Sequence, residues 1–520
     1  MKGWGVLLVA LALALPAPAA AAAPREVKAA SDGLTQAVRD ARLTAAEAAR
    51  YRSILTRAVD VQRRLPNPRA AQLAAVIGDV AAQAPRYDAP RALALFSMLD
   101  FNTRHFGSRG VPAAGSDHTD ADGIVYRAWS GRGLQFHPLA NVARLNSLVA
   151  SRRTDEAQLL AQALMARAVP VPGGIAWEYY FPFGGGTPPW TSGMAQAVAA
   201  QALARAGLLP EASLAYGALQ QGLLMQVEGR DFVRLYGFSR LAVLNAQLQT
   251  VLSVRDYAEL AEDPAAADLS LRLESATAAL LPAFDTGAWS LYAHRGAEAS
   301  LGYHTYVVSL LRRLATRSQD PLWREAADRF DRYTKEPPVV QPLARAFPAL
   351  YPVPRDGFRD EARVELTLSK LGTVTLEVGG VRHSAWFARG RRTLVWRPPA
   401  TLGPGVYPAK LRAVDPAGNA TEVELPRIEI RRDTTPPEIR TARLANGIVT
   451  WGAWDAETPW VRVRVQLRGA QGQRVLLVGR RPQTGWARVR VPRGWWQATL
   501  LVADSSGNES SAPLGLAVGR

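Results

Sequence analysis

The chain contains no cysteine. This absence excludes disulfide frameworks, cysteine-ligated metal centres and every thiol nucleophile. Histidine is scarce as well, and no two of the six histidines have the four-residue spacing of a helical HExxH zinc site. Metal catalysis is therefore a minor hypothesis, and we expect no metal among the site residues.

Lysine is also rare: only five of the 62 basic residues are lysine, and the formal net charge is +17. An arginine-rich surface attracts polyanions, because guanidinium groups pair with carboxylates in a bidentate manner. The arginines are scattered and follow no helix-turn-helix, RNA-recognition or zinc-finger pattern, so an acidic polysaccharide is favoured over nucleic acid as a partner. The alternative interpretation is that a GC-rich genome encodes arginine in place of lysine, and that the charge is spread over solvated surfaces.

Long apolar runs are absent after residue 23, which predicts no membrane span. Residues 1–23 combine Lys2, an apolar run over residues 6–15 and a small-residue stretch over residues 16–23, as in a signal peptide. No cysteine follows for a lipid anchor. We therefore expect a secreted, soluble protein whose mature chain starts near Pro24.

A length of 520 residues is sufficient for about three domains. Apolar spacing predicts a helical region over residues 24–106, a long Gly, Asp and Ser-rich loop over residues 107–133, and then eight helices. We place these near residues 138–150, 153–168, 193–206, 210–226, 239–256, 267–281, 300–316 and 321–334. Consecutive helix pairs of this kind build either a solenoid or an α/α toroid.

The pattern changes to a period of two after Pro337 and Pro338, which predicts β-strands. An internal repeat follows: YPAKLRAVDPAGNATEV, from Tyr407, is matched by WQATLLVADSSGNESSA, from Trp496. Each copy carries an aspartate and a Gly-Asn pair that suit a hairpin turn. We predict two all-β immunoglobulin-like sandwiches, over residues 354–432 and 433–520, that serve as spacers or attach the protein to the cell wall.

Residues 173–190, GGIAWEYYFPFGGGTPPW, are unusually rich in aromatic residues and glycine. Aromatic rings on a loop commonly stack on sugar faces. A hydrophobic lid over the helices is an equally good interpretation of this segment.

Three segments of the helical region resemble the C-terminal domain of the D-glucuronyl C5-epimerase family. They are PPWTSGMAQA at residues 188–197, LYGFSRLAVLNAQ at residues 235–247, and FDTGAWSLYAHRGAEASLGYHTYVVSLLRRL at residues 284–314. FHPLANVARLN, at residues 136–146, resembles the family more weakly, and the four segments occur in the family's order. The resemblance implies an all-α, toroid-like catalytic domain over residues 107–336 that inverts C5 of hexuronate residues in a polysaccharide.

The resemblance also implies a set of site residues. The family's essential tyrosines correspond to Tyr236, Tyr292 and Tyr303. His294, Arg295 and His304 are expected to lower a tyrosine pKa or to hold the substrate carboxylate, and Asn245 to bind hydroxyls. The remaining residues expected to contact substrate are Tyr179, Trp190 and Gln196.

These residue types suit the implied reaction. The C5 hydrogen of a hexuronate is α to a carboxylate, so its removal builds negative charge that must be stabilised, and a second acid must return a proton to the opposite face. A pair of tyrosines, one ionised and one protonated, meets both needs without a cofactor.

The chain departs from the family at several positions. Acidic residues of the family are replaced here by Val233, Arg234 and Leu235, and an aspartate is replaced by Ala293. His304 matches the first of two histidines in the family pattern, and the second is missing. A different uronate substrate or lost activity is compatible with these changes. The alternatives are a polyuronate lyase, which begins with the same deprotonation, and a non-catalytic polysaccharide-binding protein.

Overall fold

The computed structural model describes residues 24–519, so the predicted signal peptide lies outside the described residues. The chain divides into two compact units at the junction of Tyr333 and Thr334. The first unit is mainly helical and the second consists of antiparallel strands in several small sheets, as predicted for the two regions. Within residues 24–519, every helix is too short or too polar to cross a membrane.

Four helices open the described part of the first unit. The predicted apolar spacing is observed, since Leu73, Val76 and Val80 are buried on one face of the third helix. Thr44 and Glu47 form a reciprocal capping box that satisfies backbone donors at the start of the second helix. The helices are α1 (Pro24–Arg39), α2 (Ala45–Arg64), α3 (Arg69–Ala82) and α4 (Ala89–Ser108).

The segment predicted as a long loop before the helical domain contains a three-stranded antiparallel sheet. Its strands are β1 (Asp117–Thr119), β2 (Val125–Trp129) and β3 (Gly133–Phe136), in that order. The strands have only three to five residues, too few for their alternation to stand out among the turn residues that join them. This sheet corrects the loop prediction over residues 107–133.

Eight helices follow, at positions close to those predicted. Two short hairpins lie among them. The prediction of helix up to residue 226 is wrong, because Glu228 and Gly229 both adopt positive φ and close a hairpin from residue 224. The elements are α5 (Pro138–Ala150), α6 (Thr154–Met165), β4 (Val169–Val171), β5 (Gly174–Ala176), α7 (Gly193–Arg205), α8 (Leu209–Gln220), β6 (Leu224–Val227), β7 (Arg230–Val233), α9 (Leu244–Ala261), α10 (Pro264–Leu280), α11 (Leu301–Ala315) and α12 (Leu322–Tyr333).

These helices form two rows. Helices α5, α7, α9 and α11 pack against one another in series, whereas α6, α8, α10 and α12 each pack on the helix that precedes them. The central helix α7 is buried along nearly its whole length, as expected of a helix covered on both sides. The four inner helices start at the same end, because the loops that carry Tyr179, Tyr236 and Tyr292 contact their first turns.

The second unit begins with two sheets that share one apolar core. A sheet ordered β12-β9-β8 and a sheet ordered β11-β10-β13-β14 contribute alternate residues such as Val364, Leu376 and Leu411 to this core. The sheet begins before residue 354, the predicted start of the first sandwich, since β8 pairs with β9. The strands are β8 (Val340–Pro342), β9 (Ala362–Leu368), β10 (Gly372–Val378), β11 (Val381–Phe387), β12 (Gly390–Trp396), β13 (Gly405–Val414) and β14 (Ala420–Ile430).

The same arrangement is repeated in the remainder of the chain. Sheets ordered β15-β16-β19 and β18-β17-β20-β21 enclose a second core that includes Trp451, Val463 and Leu500. The repeated Asp and Gly-Asn motif joins β13 to β14 and β20 to β21, as predicted for hairpin turns. The strands are β15 (Glu438–Ala445), β16 (Ile448–Trp454), β17 (Val461–Gly469), β18 (Gly472–Arg481), β19 (Thr484–Arg488), β20 (Gly494–Ala503) and β21 (Glu509–Gly519).

Candidate active site

The starts of the four inner helices form one end of the helical domain. The side chains of His137, Ser192 and Ser300 cap α5, α7 and α11 by accepting backbone N–H groups of the first turn. The N-terminus of a helix carries the equivalent of about half a positive charge. Four such ends therefore create an environment that favours negative charge.

The three tyrosines expected to be catalytic meet at this end. The rings of Tyr292 and Tyr303 lie 4.8 Å apart, and the hydroxyls of Tyr303 and Tyr236 are close enough to that of Tyr292 to shift its pKa. Tyr303 lies in the first turn of α11, whereas Tyr236 and Tyr292 come from the loops that precede α9 and α11. Tyr292 thus lies near both Tyr236 and Tyr303, which are 67 positions apart in sequence.

Electrostatics distinguishes the three hydroxyls. Burial raises the pKa of each tyrosine, and most strongly those of Tyr236 and Tyr303. Interactions among the three hydroxyls lower the pKa of Tyr292 and raise those of Tyr236 and Tyr303. Tyr292 is therefore the hydroxyl of the three that ionises most readily.

A close backbone approach positions Tyr236. The N–H of Gly193 donates to the carbonyl of Arg234 at 3.0 Å, and a Cβ on this glycine would lie 2.5 Å from that oxygen. The N–H of Gly237 donates to the carbonyl of Thr191 at 2.8 Å. Glycine is thus required at the start of α7 because the loop that carries Tyr236 is hydrogen-bonded directly against it.

Backbone pairing also fixes the segment that carries Tyr292. Its N–H donates to the carbonyl of Ala297 at 2.9 Å, and its carbonyl accepts the N–H of Leu244 at 3.3 Å. Asn245, the next residue of α9, is buried with 5% exposure. This pairing brings the start of α9, with the predicted hydroxyl-binding Asn245, next to the backbone of Tyr292.

The aromatic loop packs mostly on itself. Tyr179 and Trp190 stack with ring centroids 4.0 Å apart, and Trp190 contacts Tyr236 edge-on at 5.5 Å. Both loop residues are about 95% buried, and the indole of Trp190 donates to the carbonyl of Phe181 at 2.8 Å. Phe238, in contrast, is 37% exposed beside Tyr236. The lid interpretation thus describes Tyr179 and Trp190 better than direct stacking on sugars.

Two other predicted substrate ligands have structural interactions. His304 is fully buried: its Nδ1 lies 2.7 Å from the hydroxyl of Ser290, its Nε2 lies 2.8 Å from the carbonyl of Phe330, and its ring stacks on Trp289. The amide of Gln196 is buried and donates to the carbonyls of residues 175 and 215. Both side chains hold neighbouring segments together.

The predicted cations near the tyrosines are engaged elsewhere. Arg295 is 80% exposed and pairs with Glu228 at 3.0 Å, and His294 lies 3.2 Å from the same carboxylate. The expectation that these residues or His304 lower a tyrosine pKa is not met, since burial dominates and the pKa of all three tyrosines is raised.

Sequence reasoning missed a different cation, Arg127 of β2. Its guanidinium is buried and bound in a bidentate manner by Asp117, with two N–O distances of 2.7 Å. Although burial raises the pKa values of Tyr179 and Tyr303, the charge of Arg127 opposes that effect. No pattern in the sequence links this strand to the tyrosines, because the connection is made by the fold.

His137 was also missed, although it lies in the faint family-like segment before α5. Its Nδ1 accepts the N–H of Ala140 at 3.0 Å, so the proton of the neutral ring must lie on Nε2. Burial holds the pKa of His137 well below its ordinary value. Its ring meets that of Tyr179 edge-on at 5.3 Å. A neutral N–H donor thus lies beside the aromatic cluster.

Two clefts are formed by other parts of the chain. One, of about 510 Å³, lies between the β6–β7 hairpin and α10 and includes Asp231 and Arg272. The other, of about 570 Å³, lies in the second unit and is lined by arginines such as Arg359 and Arg397. Neither cleft includes the three tyrosines.

Residues 173–332 match the family model described as D-glucuronyl C5-epimerase C-terminus. This match confirms the expected resemblance for somewhat under a third of the chain, and it contains Tyr236, Tyr292 and Tyr303. The epimerase-like segment starts at the aromatic loop and ends in α12. Arg127 and His137 lie ahead of it.

Other comparisons are weaker. Curated proteins provide no match. Among solved structures, a D-mannose isomerase aligns with 14% identity and a TM-score of 0.31 over 39% of this chain, and this chain covers only 59% of that one. The endo-beta-1,4-glucanase CMCax from Acetobacter xylinum aligns with 13% identity and a TM-score of 0.30, over 38% of this chain and 74% of the other. Fibronectin(III)-like modules of CbhA from Clostridium thermocellum align with 14% identity and a TM-score of 0.16, over 35% of this chain and 94% of theirs. These scores are too low to support a conclusion about fold or activity.

Proposed function

We propose that the protein is a hexuronate C5-epimerase, of the glucuronate-to-iduronate type, that acts on an acidic polysaccharide. The observation that carries this proposal is the convergence of three tyrosine hydroxyls, with Tyr292 at the centre, inside a segment that matches the epimerase family model. An isomerase of this type needs one base and one acid at a single carbon. A cluster of hydroxyls of unequal acidity supplies both.

Tyr292 is assigned as the base, because the neighbouring Tyr236 and Tyr303 lower its pKa and so favour its ionised form. The Tyr292 oxygen takes the C5 proton, and Tyr303, which stays protonated, returns one from the other face. Without substrate the rings of these two tyrosines lie 4.8 Å apart, so binding must part them to admit the sugar ring. The reverse reaction exchanges their roles.

The negative charge that builds on the substrate carboxylate needs stabilisation. The N-termini of α5, α7, α9 and α11 face the same end of the domain, and each favours an anion. The Nε2–H of His137 and the amide of Asn245 supply hydrogen-bond donors, and Arg127 adds a buried positive charge. Arg295, at the exposed rim, is suited to attract a polyanion.

The wider architecture fits this activity. The two helical rows suit an α/α toroid, and the duplicated sheets suit two immunoglobulin-like sandwiches that attach the enzyme to the cell wall or to polymer. Secretion through the N-terminal segment would deliver the protein to extracellular polysaccharide. We propose that no organic cofactor takes part, because proton transfer at C5 needs none.

Incubation with glucuronate-containing polysaccharides in heavy water tests the proposal. Deuterium should enter at C5, detected by NMR and mass spectrometry, without shortening of the polymer. Tyr303→Phe should abolish this exchange. Tyr306→Phe is the matched control, because Tyr306 lies on the same helix but donates its hydrogen bond to Gln249 at 2.9 Å, away from the other tyrosines.

Other outcomes would replace the proposal. An unsaturated, ultraviolet-absorbing product would identify a polyuronate lyase, which expels the C4 substituent after the same deprotonation. Binding of polyuronates with neither signal would identify a non-catalytic polysaccharide-binding protein.

A further inference from the structure

Three buried aspartates meet in the second sandwich, far along the chain from the tyrosines. Asp433 precedes β15, Asp455 follows β16 and Asp504 follows β20. One carboxylate oxygen from each lies within 4.8 Å of the other two. Their residues are only 3%, 7% and 2% exposed. Three carboxylates therefore share one small, dry volume.

Two of these carboxylates are only half satisfied. One oxygen of Asp433 accepts the N–H of Thr435 at 3.0 Å, and one oxygen of Asp455 accepts the N–H of Glu457 at 2.8 Å. Among residues 24–519, no group donates a hydrogen bond to the buried Oδ2 atom of Asp433 or of Asp455. Such atoms are costly to bury, so their retention calls for a positive partner.

Neighbouring negative charges raise the cost of burying these carboxylates further. Burial is the main cause that raises the pKa of Asp433 and of Asp455, and the charge of Asp504 adds to it at both. Glu457 also approaches Asp433, while its Oε1 accepts the hydroxyl of Tyr351 at 2.7 Å. Hydrogen bonds from the backbone offset only part of this repulsion.

The first sandwich provides an internal comparison. Asp415 corresponds to Asp504, and in both copies an asparagine four residues later binds both carboxylate oxygens. In the first copy Asp415 forms a fully buried ion pair with Lys370 at 2.8 Å. Lys370 lies in the turn between β9 and β10, and Asp455 lies in the equivalent turn between β16 and β17.

The duplication therefore places a cation in one copy and an anion in the other. The residue at the start of the sandwich also differs between the copies, and again the second copy has an aspartate. Asn419 donates to the carbonyl of Thr334, and Asn508 donates to the carbonyl of Asp433, so Thr334 and Asp433 are also equivalent. Where the first copy has an aspartate neutralised by a lysine, the second has three aspartates.

We propose that Asp433, Asp455 and Asp504 bind one Ca²⁺ ion. The ligands are all oxygen, which suits a hard divalent cation. Oxygens on opposite sides of Ca²⁺ are about 5 Å apart, twice the Ca–O distance, so the observed spacing of up to 4.8 Å fits with little movement. Mg²⁺ demands stricter octahedral geometry at shorter distances and fits three aspartates from separate turns less well.

Isothermal titration of the full chain with CaCl₂ after EDTA treatment tests this site. One Ca²⁺ should bind per chain with a dissociation constant of about 0.1–1 mM, the range expected of extracellular modules. Asp455→Asn should weaken binding at least about a hundredfold, because it removes a charge and an unpartnered oxygen. Asp433→Asn is a second variant with the same expectation, and circular dichroism checks that each variant is folded.

Glu438→Gln is the matched control, because it removes a carboxylate of the same sandwich that is 63% exposed and paired with Arg440. Its Ca²⁺ affinity should equal that of the wild type. Absence of Ca²⁺ binding by the folded wild-type chain, tighter binding of Mg²⁺ than of Ca²⁺, or unchanged affinity in both aspartate variants would overturn the proposal. None of these results depends on epimerase activity.

Discussion

Replacement of Tyr292 by phenylalanine is the most informative perturbation of the candidate active site. The change removes the hydroxyl that interacts with those of both Tyr236 and Tyr303. Two buried hydroxyls then lose a polar neighbour, which costs about 1–3 kcal/mol of folding stability in partly buried surroundings. Tyr303→Phe removes the interaction with Tyr292 alone and should cost about 1 kcal/mol. Thermal melts should therefore rank Tyr292→Phe below Tyr303→Phe.

The effect on turnover should be much larger than the effect on stability. If Tyr292 is the base, its loss removes a proton transfer made only in the transition state, and turnover should fall at least about a hundredfold while polymer affinity changes little. Initial rates of deuterium incorporation at C5 measure turnover, and isothermal titration measures affinity.

The pH profile gives an independent check. Burial raises the pKa of Tyr292 above its ordinary value of about 10, so the active, ionised form is a small minority at neutral pH. Turnover of the wild type should then rise about tenfold per pH unit between pH 7 and pH 9. Residual turnover in Tyr292→Phe should lack this slope. A flat wild-type profile, or a variant that keeps more than about a tenth of the turnover, would refute the assignment of Tyr292 as the base.

Three further predictions concern stability. Burial raises the pKa of Asp79 in α3 to about 7. The protonated carboxyl therefore stabilises the fold fully below its ordinary pKa, and this contribution is lost as the pH rises towards 7. In urea titrations, the stability of Asp79→Asn relative to the wild type should grow by up to about 3 kcal/mol between pH 5 and pH 7. Lys370→Met leaves the carboxylate of Asp415 buried without its ammonium partner and should cost about 3–5 kcal/mol, whereas Lys370→Met combined with Asp415→Asn should recover most of that loss in the same titration. His304→Leu should lower the free energy of unfolding by about 2–4 kcal/mol, and with it the melting temperature, because two buried hydrogen bonds are lost. The KM of the folded protein should not change. A raised KM with a normal melting temperature would show that His304 contacts substrate.

The order of helices and strands could be read from the sequence because periodicity reports which residues face a core. The expectation of a helix near 138–150 agrees with α5 (Pro138–Ala150), where apolar spacing and a proline at the first position act together. The sheet over residues 117–136 could not be read, because its strands are short and the segments that join them are rich in residues typical of turns.

The candidate site was predictable only in part, and for a different reason. The tyrosines lie in segments with recognisable neighbours, so a resemblance was enough to select them. The roles of their surroundings depend on tertiary contacts. Arg127 acts from a separate sheet, and His304 turned inward to satisfy both ring nitrogens. Nothing local to either residue distinguishes a buried structural group from a group at the site.

The asparagine of each repeated turn has a practical consequence for dissecting the protein. Asn419 and Asn508 each hold the carbonyl of a residue at the entrance of their own sandwich, at 2.8 Å and 3.2 Å. A fragment meant to fold by itself should therefore start no later than Thr334 or Asp433. A fragment cut at residue 354 would lose β8 and leave β9 with a naked edge, and exposed edges of this kind pair with other chains and precipitate.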